Sequence, residues 1–264
     1  MRTLLFFLFL LSASLAASGQ EMTKEIKEKH TKKDKNGFLY FALGSHRGFF
    51  TRCDIHVERS GSSPFNFTLE KVRARDEGGL KWETAPQFTY NIGYYFTKKK
   101  FGLEYQYDHI KYFVRQNQVV RLKGTIGNKT FNQDTLITPD FFQMEHSDGA
   151  NYCMFNFVKW LPVAASKDKK FDFSVVLKAG LGFVNPKTNT TIMGVHRDDM
   201  YHLSGYITGI ESGLKFLFWK HFIVMGTFKG AYADYFDFLI ANGNGHHQFL
   251  SAQLIYMVGA QFPL

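Results

Sequence analysis

Three groupings in this chain bring together side chains able to do chemistry. His202-Leu203-Ser204 sets an imidazole and a hydroxyl two residues apart. On a strand that spacing puts both on one face. A serine within reach of an imidazole is the core of an activated nucleophile once an acid orients the ring, which would make Ser204 the nucleophile and His202 the base. The plainer reading is an interfacial polar pair. The second grouping is Glu104, Asp108, Asp172 and Glu211 with Lys178, Lys215, Lys229 and His46, which alternation sends to one side of a sheet. Buried charges are tolerated only when paired, so they are read as a hydrogen-bonded charge network. A proton or ion path would need continuous water. The third, Glu145-His146-Ser147-Asp148-Gly149 with Asn151, carries an Asp-Gly turn signal. Its His146 and Ser147 are adjacent and would face opposite ways in a regular strand, so it is read as a turn. His196, Asp198 and Asp199, and His246 with His247, lack a specific metal-site spacing. No metal ligand and no cofactor is assigned.

These residues need elements to hold them, and the chain supplies eight aromatic-rich segments of alternating character. They fall near 37–50, 88–96, 101–108, 141–161, 171–183, 201–217, 222–235 and 247–262. The second sets Phe88, Tyr90, Ile92, Tyr94 and Phe96 against Thr89, Asn91, Gly93 and Tyr95. The fifth sets Phe173, Val175, Leu177 and Leu181 against Asp172, Ser174 and Lys178. An apolar face that alternates with a polar one is the pattern of a transmembrane strand with lipid outside and a polar lumen inside. The links at 98–100, 162–170 and 218–221 are short, and those at 51–85, 115–140, 184–200 and 236–246 are long. The expected fold is an all-β, eight-stranded antiparallel transmembrane up-and-down β-barrel over residues 37–264, with short turns and both termini periplasmic and long loops outside. A barrel of eight strands has a lumen only wide enough for side chains, so it is no porin. The stretch 65–74 inside the first long loop alternates too, and is expected to extend the sheet above the membrane as a recognition surface.

The chain opens with Arg2, an apolar run from Leu4 to Leu11 and small residues up to Gly19, the layout of a signal peptide over 1–19. The run is short of the ~20 residues that a spanning helix needs. Residues 20–36 are rich in Lys and Glu and read as a charged periplasmic tail. Aromatics make up 17% of the chain, with 29 Phe and 13 Tyr, which suits strands and bilayer interfaces. A soluble lipocalin-like carrier would need an apolar lumen, whereas the apolar face here points outward. The net charge of +9 suits phosphorylated headgroups or other polyanions and equally a solubility device, the commoner reading of scattered lysines, and nucleic acid is not an expected partner of an exported chain. Cys53 falls in the first outer loop and Cys153 in the body of the fourth strand, a depth difference that disfavours a bridge.

Two resemblances follow from short motifs. His202-Leu-Ser204 is similar to the His-x-Ser of lipid A 3-O-deacylases, eight-stranded outer-membrane barrels that hydrolyse an ester of lipid A from a lipid-facing site. It departs from them at Gly205-Tyr206, and Glu211 has the opposite parity. At Cys53-Asp-Ile-His56, Phe65-Asn-Phe-Thr-Leu69, Gly93-Tyr-Tyr-Phe96, Phe101-Gly-Leu-Glu104, His146-Ser-Asp-Gly-Ala-Asn151 and His202-Leu-Ser-Gly-Tyr206, the chain resembles uncharacterised outer-membrane β-barrel proteins of the Bacteroidetes type. That resemblance implies location and architecture and no established activity. The expected function is a structural or binding role through the outer loops, as a monomer, with outer-membrane lipid, lipopolysaccharide or another envelope protein as partner. The alternative is a lipid A or phospholipid acyl-ester hydrolase.

Overall fold

The computed structural model describes residues 36–76, 87–146, 148–168 and 170–264. The expected signal peptide, nearly all of the expected tail, and Ser147 lie outside the described residues. In chain order the first strands are β1 (Gly37–Phe50), β2 (Cys53–Arg59), β3 (Phe65–Val72), β4 (Ala74–Arg75), β5 (Thr89–Phe96) and β6 (Phe101–Asp108). They are followed by β7 (Tyr112–Val114), β8 (Val119–Ile126), β9 (Lys129–Leu136), β10 (Phe142–His146), β11 (Tyr152–Ala165) and β12 (Phe171–Val184). The last are β13 (Lys187–Ile192), β14 (Val195–Tyr201), β15 (Gly205–Phe218), β16 (Phe222–Ile240) and β17 (Gly243–Pro263).

Eight of these close into a ring in the order β1-β5-β6-β11-β12-β15-β16-β17, and β17 pairs back onto β1 from Phe38↔Pro263 to Phe50↔Ser251. Every neighbouring pair in the ring is antiparallel. Period two then sorts the side chains. Ile210 is 71% exposed and its neighbour Glu211 4%. Leu39, Phe41, Leu43, Ile92, Leu103, Leu181 and Leu254 face out, while Tyr40, Asn91, Glu104, Gln106 and Gln253 face in. Leaving a large aliphatic side chain in water forgoes roughly 1.5–3 kcal/mol. A complete belt of them around a charged interior is therefore stable only where the surroundings are hydrocarbon. The barrel is a transmembrane one.

One end of the barrel is closed by tight turns, where Lys100 with φ 58° and Trp219 and Lys220 with φ 50° and 69° take left-handed conformations. At the other end the connections build a second body, the head. β2 carries on along β17 from where β1 leaves off, pairing Ile55↔His247 to Arg59↔Gly243. β3, β8 and β9 then add to β2 in sequence. A second sheet, β14-β13-β10-β7-β4, lies apart from the ring. An apolar core fills the head, with Ile55, Phe67, Leu69, Tyr112, Leu122, Phe142, Met144 and Phe238 in it. It runs on into the upper lumen through Met154, Ile207, Ala231 and Tyr235.

Several boundaries differ from the sequence expectation, each for a local reason. The fourth barrel strand starts at Tyr152 instead of near 141, because Gly149 (φ 104°) and Asn151 (φ 41°) break the chain there. Phe142–His146 is a separate strand of the second sheet. The sixth starts at Gly205, so residues 202–204 are outside any strand. The last long link is a hairpin, since β16 and β17 pair up to Ile240↔Gly243 around Asn242 (φ 57°). The link near 162–170 is shorter than expected because β11 continues to Ala165 past a register shift at Pro162/Ala164.

Candidate functional site

The lumen is filled in layers. Near the turn end lies a small apolar cluster that includes Tyr40, Tyr95, Trp160, Val176, Ile223 and Met257. Above it, cross-strand register sets Lys178 of β12 opposite Glu211 of β15, and Glu211 opposite Lys229 of β16. Lys178 Nζ lies 2.9 Å from Glu104 Oε1 and 3.0 Å from Glu211 Oε1. Lys229 Nζ lies 2.5 Å from Asp108 Oδ2 and 3.6 Å from Glu211 Oε2. Glu104 also accepts from Tyr40 and Asn156 at 3.1 Å each, and Asp108 accepts from Thr89 at 2.6 Å and Gln106 at 3.1 Å. Three carboxylates and two ammonium groups thus share one buried network, and on Glu104 and Asp108 neutral donors take up lone pairs that the lysines leave. Small residues on the neighbouring rungs, Gly180, Gly209 and Gly213, make the room for them.

Two residues of the expected network lie elsewhere. Lys215 sits nearer the turn end, donating to Gln261 Oε1 at 2.9 Å with its ammonium 3.6 Å from the Trp160 ring centre, a cation–π contact. Asp172, opposite Leu217, is six residues along β12 from Lys178 and interacts electrostatically with Lys215. His46 is buried and electrostatically coupled to Asp108.

The His-x-Ser segment adopts a geometry that period-two reasoning does not give. Ser204 is fully buried, not lipid-facing, and its hydroxyl donates to the backbone carbonyl of His202 at 3.1 Å. The His202 ring instead meets Asp237, with Nε2 3.1 Å from Oδ2. A bulge in β16 between Tyr235 and Phe238 places Asp237 there, and its N–H bonds Ser204 O at 3.2 Å. An acid–imidazole pair and a serine are adjacent, and the serine hydroxyl is bonded to the His202 backbone carbonyl.

The densest unexpected cluster lies in the head core. His146 Nε2 of β10 is 3.2 Å from His247 Nε2 of β17, and His146 Nδ1 is 3.0 Å from Thr188 Oγ1 of β13. His247 Nδ1 is 4.0 Å from Cys53 Sγ of β2, which is 3.2 Å from the hydroxyl of Tyr112 on β7. Tyr235, Phe238 and Phe249 pack their rings around the two imidazoles. This chain of contacts ties both head sheets to β17. Burial drives the His146 pKa down to about 3 and holds His247 well below the ordinary imidazole value, where the neighbouring His146 and His246 add to the effect. Burial also pushes the Cys53 thiol up to about 11, so it is a protonated weak donor, not a nucleophile. Cys53 and Cys153 are both free. No local spacing announces this cluster: its polar members come from five strands, and only the parity of His247 with Phe249 and Ser251 places that histidine inside.

Among the described residues no group of three or more His, Cys, Asp or Glu side chains is arranged to hold a metal ion. No family model and no curated protein matches the chain. Several solved structures align loosely with the chain. The outer membrane protein OprG from Pseudomonas aeruginosa aligns at a TM-score of 0.37 and 12% identity, over 88% of this chain and 98% of its own. Ail, the attachment invasion locus protein of Yersinia pestis, solved in complex with the heparin analogue sucrose octasulfate, aligns at 0.30 and 10% identity, over 86% and 99%. Neisserial surface protein A aligns at 0.30 and 6% identity, over 84% and 99%. At these scores the superpositions are loose, and the architecture assigned to this chain rests on its own closed ring of eight strands.

Proposed function

We propose that the chain is an integral barrel of a bacterial outer membrane that anchors a folded head outside the cell, with the short turns and both barrel termini periplasmic, and that the head is a binding surface. One observation carries this reading: the long connections fold together around a shared apolar core that continues into the lumen. A porin needs an open path, whereas here apolar, charged and apolar layers of side chains succeed one another along the axis. Ordering so much chain costs conformational entropy that mobile loops would not lose, which suits a surface of fixed shape. Its partners in this reading are outer-membrane lipid, lipopolysaccharide or another envelope protein, and the protein acts as a monomer of the Bacteroidetes-like family that its motifs resemble. The test is a cysteine placed at Thr130, in the exposed β8–β9 hairpin. Both native cysteines are buried, so a membrane-impermeant maleimide should label Thr130→Cys in intact cells and leave the parent unlabelled. Labelling only after lysis would overturn the orientation.

A second reading, hydrolysis of a lipid acyl ester, is favoured by the His202–Asp237 pair alone. It requires Ser204 to leave its bond to the His202 carbonyl. Mass spectrometry of lipid A and phospholipid incubated with the refolded protein decides it. Acyl loss abolished by both Ser204→Ala and His202→Ala supports it, and intact lipids where a known deacylase works exclude it.

A further inference from the structure

Register shows which end of the head lies next to the membrane. Thr51, between β1 and β2, donates its N–H to Leu250 O at 2.9 Å and accepts at its hydroxyl from Leu250 N at 3.0 Å. Leu250 is 57% exposed on the outward face of β17. It lies twelve residues from Phe262 along that strand, which for a tilted strand is about the height of the ~25 Å apolar band. Arg52 therefore begins the head at the edge of that band. β3 runs down toward it, pairing Val72 with Cys53, and β8 starts beside the lower end of β3, with Arg121 opposite Glu70.

Four cations converge at that lower edge. Arg52, Lys71, Arg73 and Arg121 line a groove of about 430 Å³, together with Glu70, Asp134, Asn117, Gln118, Val119 and Val120. The two acids are already engaged, Glu70 by Lys123 at 2.5 Å and Asp134 by Arg121 at 3.2 Å. Both contacts are on partly to fully exposed side chains, where pairs add little to stability but do neutralise the acids. Among the described residues Arg52, Lys71 and Arg73 make no ion pair, and all three are exposed. Their backbones are held. Lys71 is the extra residue of a bulge, with φ 56° and its N–H donating to Asp54 Oδ1 at 2.8 Å, and bulges re-aim side chains. Arg73 is gripped on both sides by the Gln118 amide, which accepts from its N–H at 2.9 Å and donates to its carbonyl at 2.9 Å. Beside the groove, Val119 and Leu136 pair across β8 and β9 and are 67% and 48% exposed.

We propose that this groove takes the phosphate groups of a phosphorylated lipid headgroup in the outer leaflet of the same membrane. The claim deepens the proposed binding role and rests on the head lying outside. Height selects the lipid over a soluble anion, since the cations stand where headgroup phosphates lie. The exposed Val119–Leu136 pair suits a partner with apolar as well as anionic parts. Arg and Lys together favour phosphate, the first by forked hydrogen bonds and the second as a point charge.

The test uses the full barrel in phosphatidylethanolamine nanodiscs doped with either bisphosphorylated lipid A or its dephosphorylated form, with retention of bound lipid read by native mass spectrometry. The expected result is preferential retention of the bisphosphorylated form, weakened by salt. A cation near an anionic surface is worth roughly fivefold, so Arg52→Gln/Lys71→Gln/Arg73→Gln together should lower retention by about a hundredfold. Resistance of the head to trypsin at unaltered sites checks that the variant is folded, and Lys99→Gln at the opposite end of the barrel is the charge control. Equal retention of both lipid forms, or a folded triple variant that retains as the parent does, overturns the proposal. Tight binding of inositol hexakisphosphate with no preference between the lipids also overturns it, in favour of a soluble anion. Failure of the Thr130→Cys labelling would instead strike the orientation, so the two failures are distinguishable.

Discussion

Lys178 and Lys215 are both lysines buried in the lumen, yet their removal should have different consequences. Lys178 bridges Glu104 and Glu211. Lys178→Met leaves two carboxylates short of a counter-charge in a dry interior, which should cost about 3–5 kcal/mol in urea unfolding from vesicles. Lys215 donates to a neutral acceptor, lies over an aromatic face and interacts electrostatically with Asp172 without a bridging carboxylate pair, and Lys215→Met should cost about 1 kcal/mol. Equal losses would mean that the acid–lysine network is not a unit. Parity along each strand was enough to send these residues inward, since the faces alternate whatever the ring order. Which acid meets which lysine was not legible, because it depends on the stagger between strands that no single segment encodes. The His202–Ser204 segment shows the limit of parity from the other side: period two applies only inside a strand, and β15 begins one residue after Ser204.

At the scale of elements, the barrel strands were legible because each has a wet and an oily side, and the alternation is strong where both solvents act, as in 89–96 and 171–184. Strands of the head pack one face on an apolar core and turn the other to water through short, polar segments such as Lys187–Ile192, whose alternation resembles that of any loop. Only the stretch around β3 stood out. The same core makes the head acid-sensitive. His146 is folded with a pKa near 3 and His247 is also depressed, while an unfolded histidine titrates near ~6.5. Between those values the open state binds more protons, so the stability of the head is full above about pH 6.5 and is lost as pH falls toward 3. Hydrogen exchange should show β10 and β13 opening at pH 4.5 while β12 and β15 stay protected, and His247→Phe should flatten that response. Uniform protection at both pH values would mean the buried imidazoles do not govern the head. Gly149, at φ 104°, ends the turn that separates β10 from β11, and an added Cβ would collide with the Asn151 amide. Gly149→Ala should therefore destabilise the head by more than 1 kcal/mol, read as earlier proteolysis between the two strands.

The whole molecule behaves as a solid plug under a cap. Planar-bilayer recording should find no steady conductance, and a stable open level would refute the layered packing of the lumen. β16 and β17, 19 and 21 residues long, link the turn end to the hairpin in the head, β16 running up with a bulge between Tyr235 and Phe238 and β17 running back down, a contour of about 70 Å for the longer strand at ~3.4 Å per residue. Among the described residues β2 picks up beside β17 where β1 stops, and the apolar core spans the junction. The head is then a rigid mast. A sideways pull on its tip would exert torque on the barrel and tilt it in the bilayer, so that load applied to the head would reach the lipid directly.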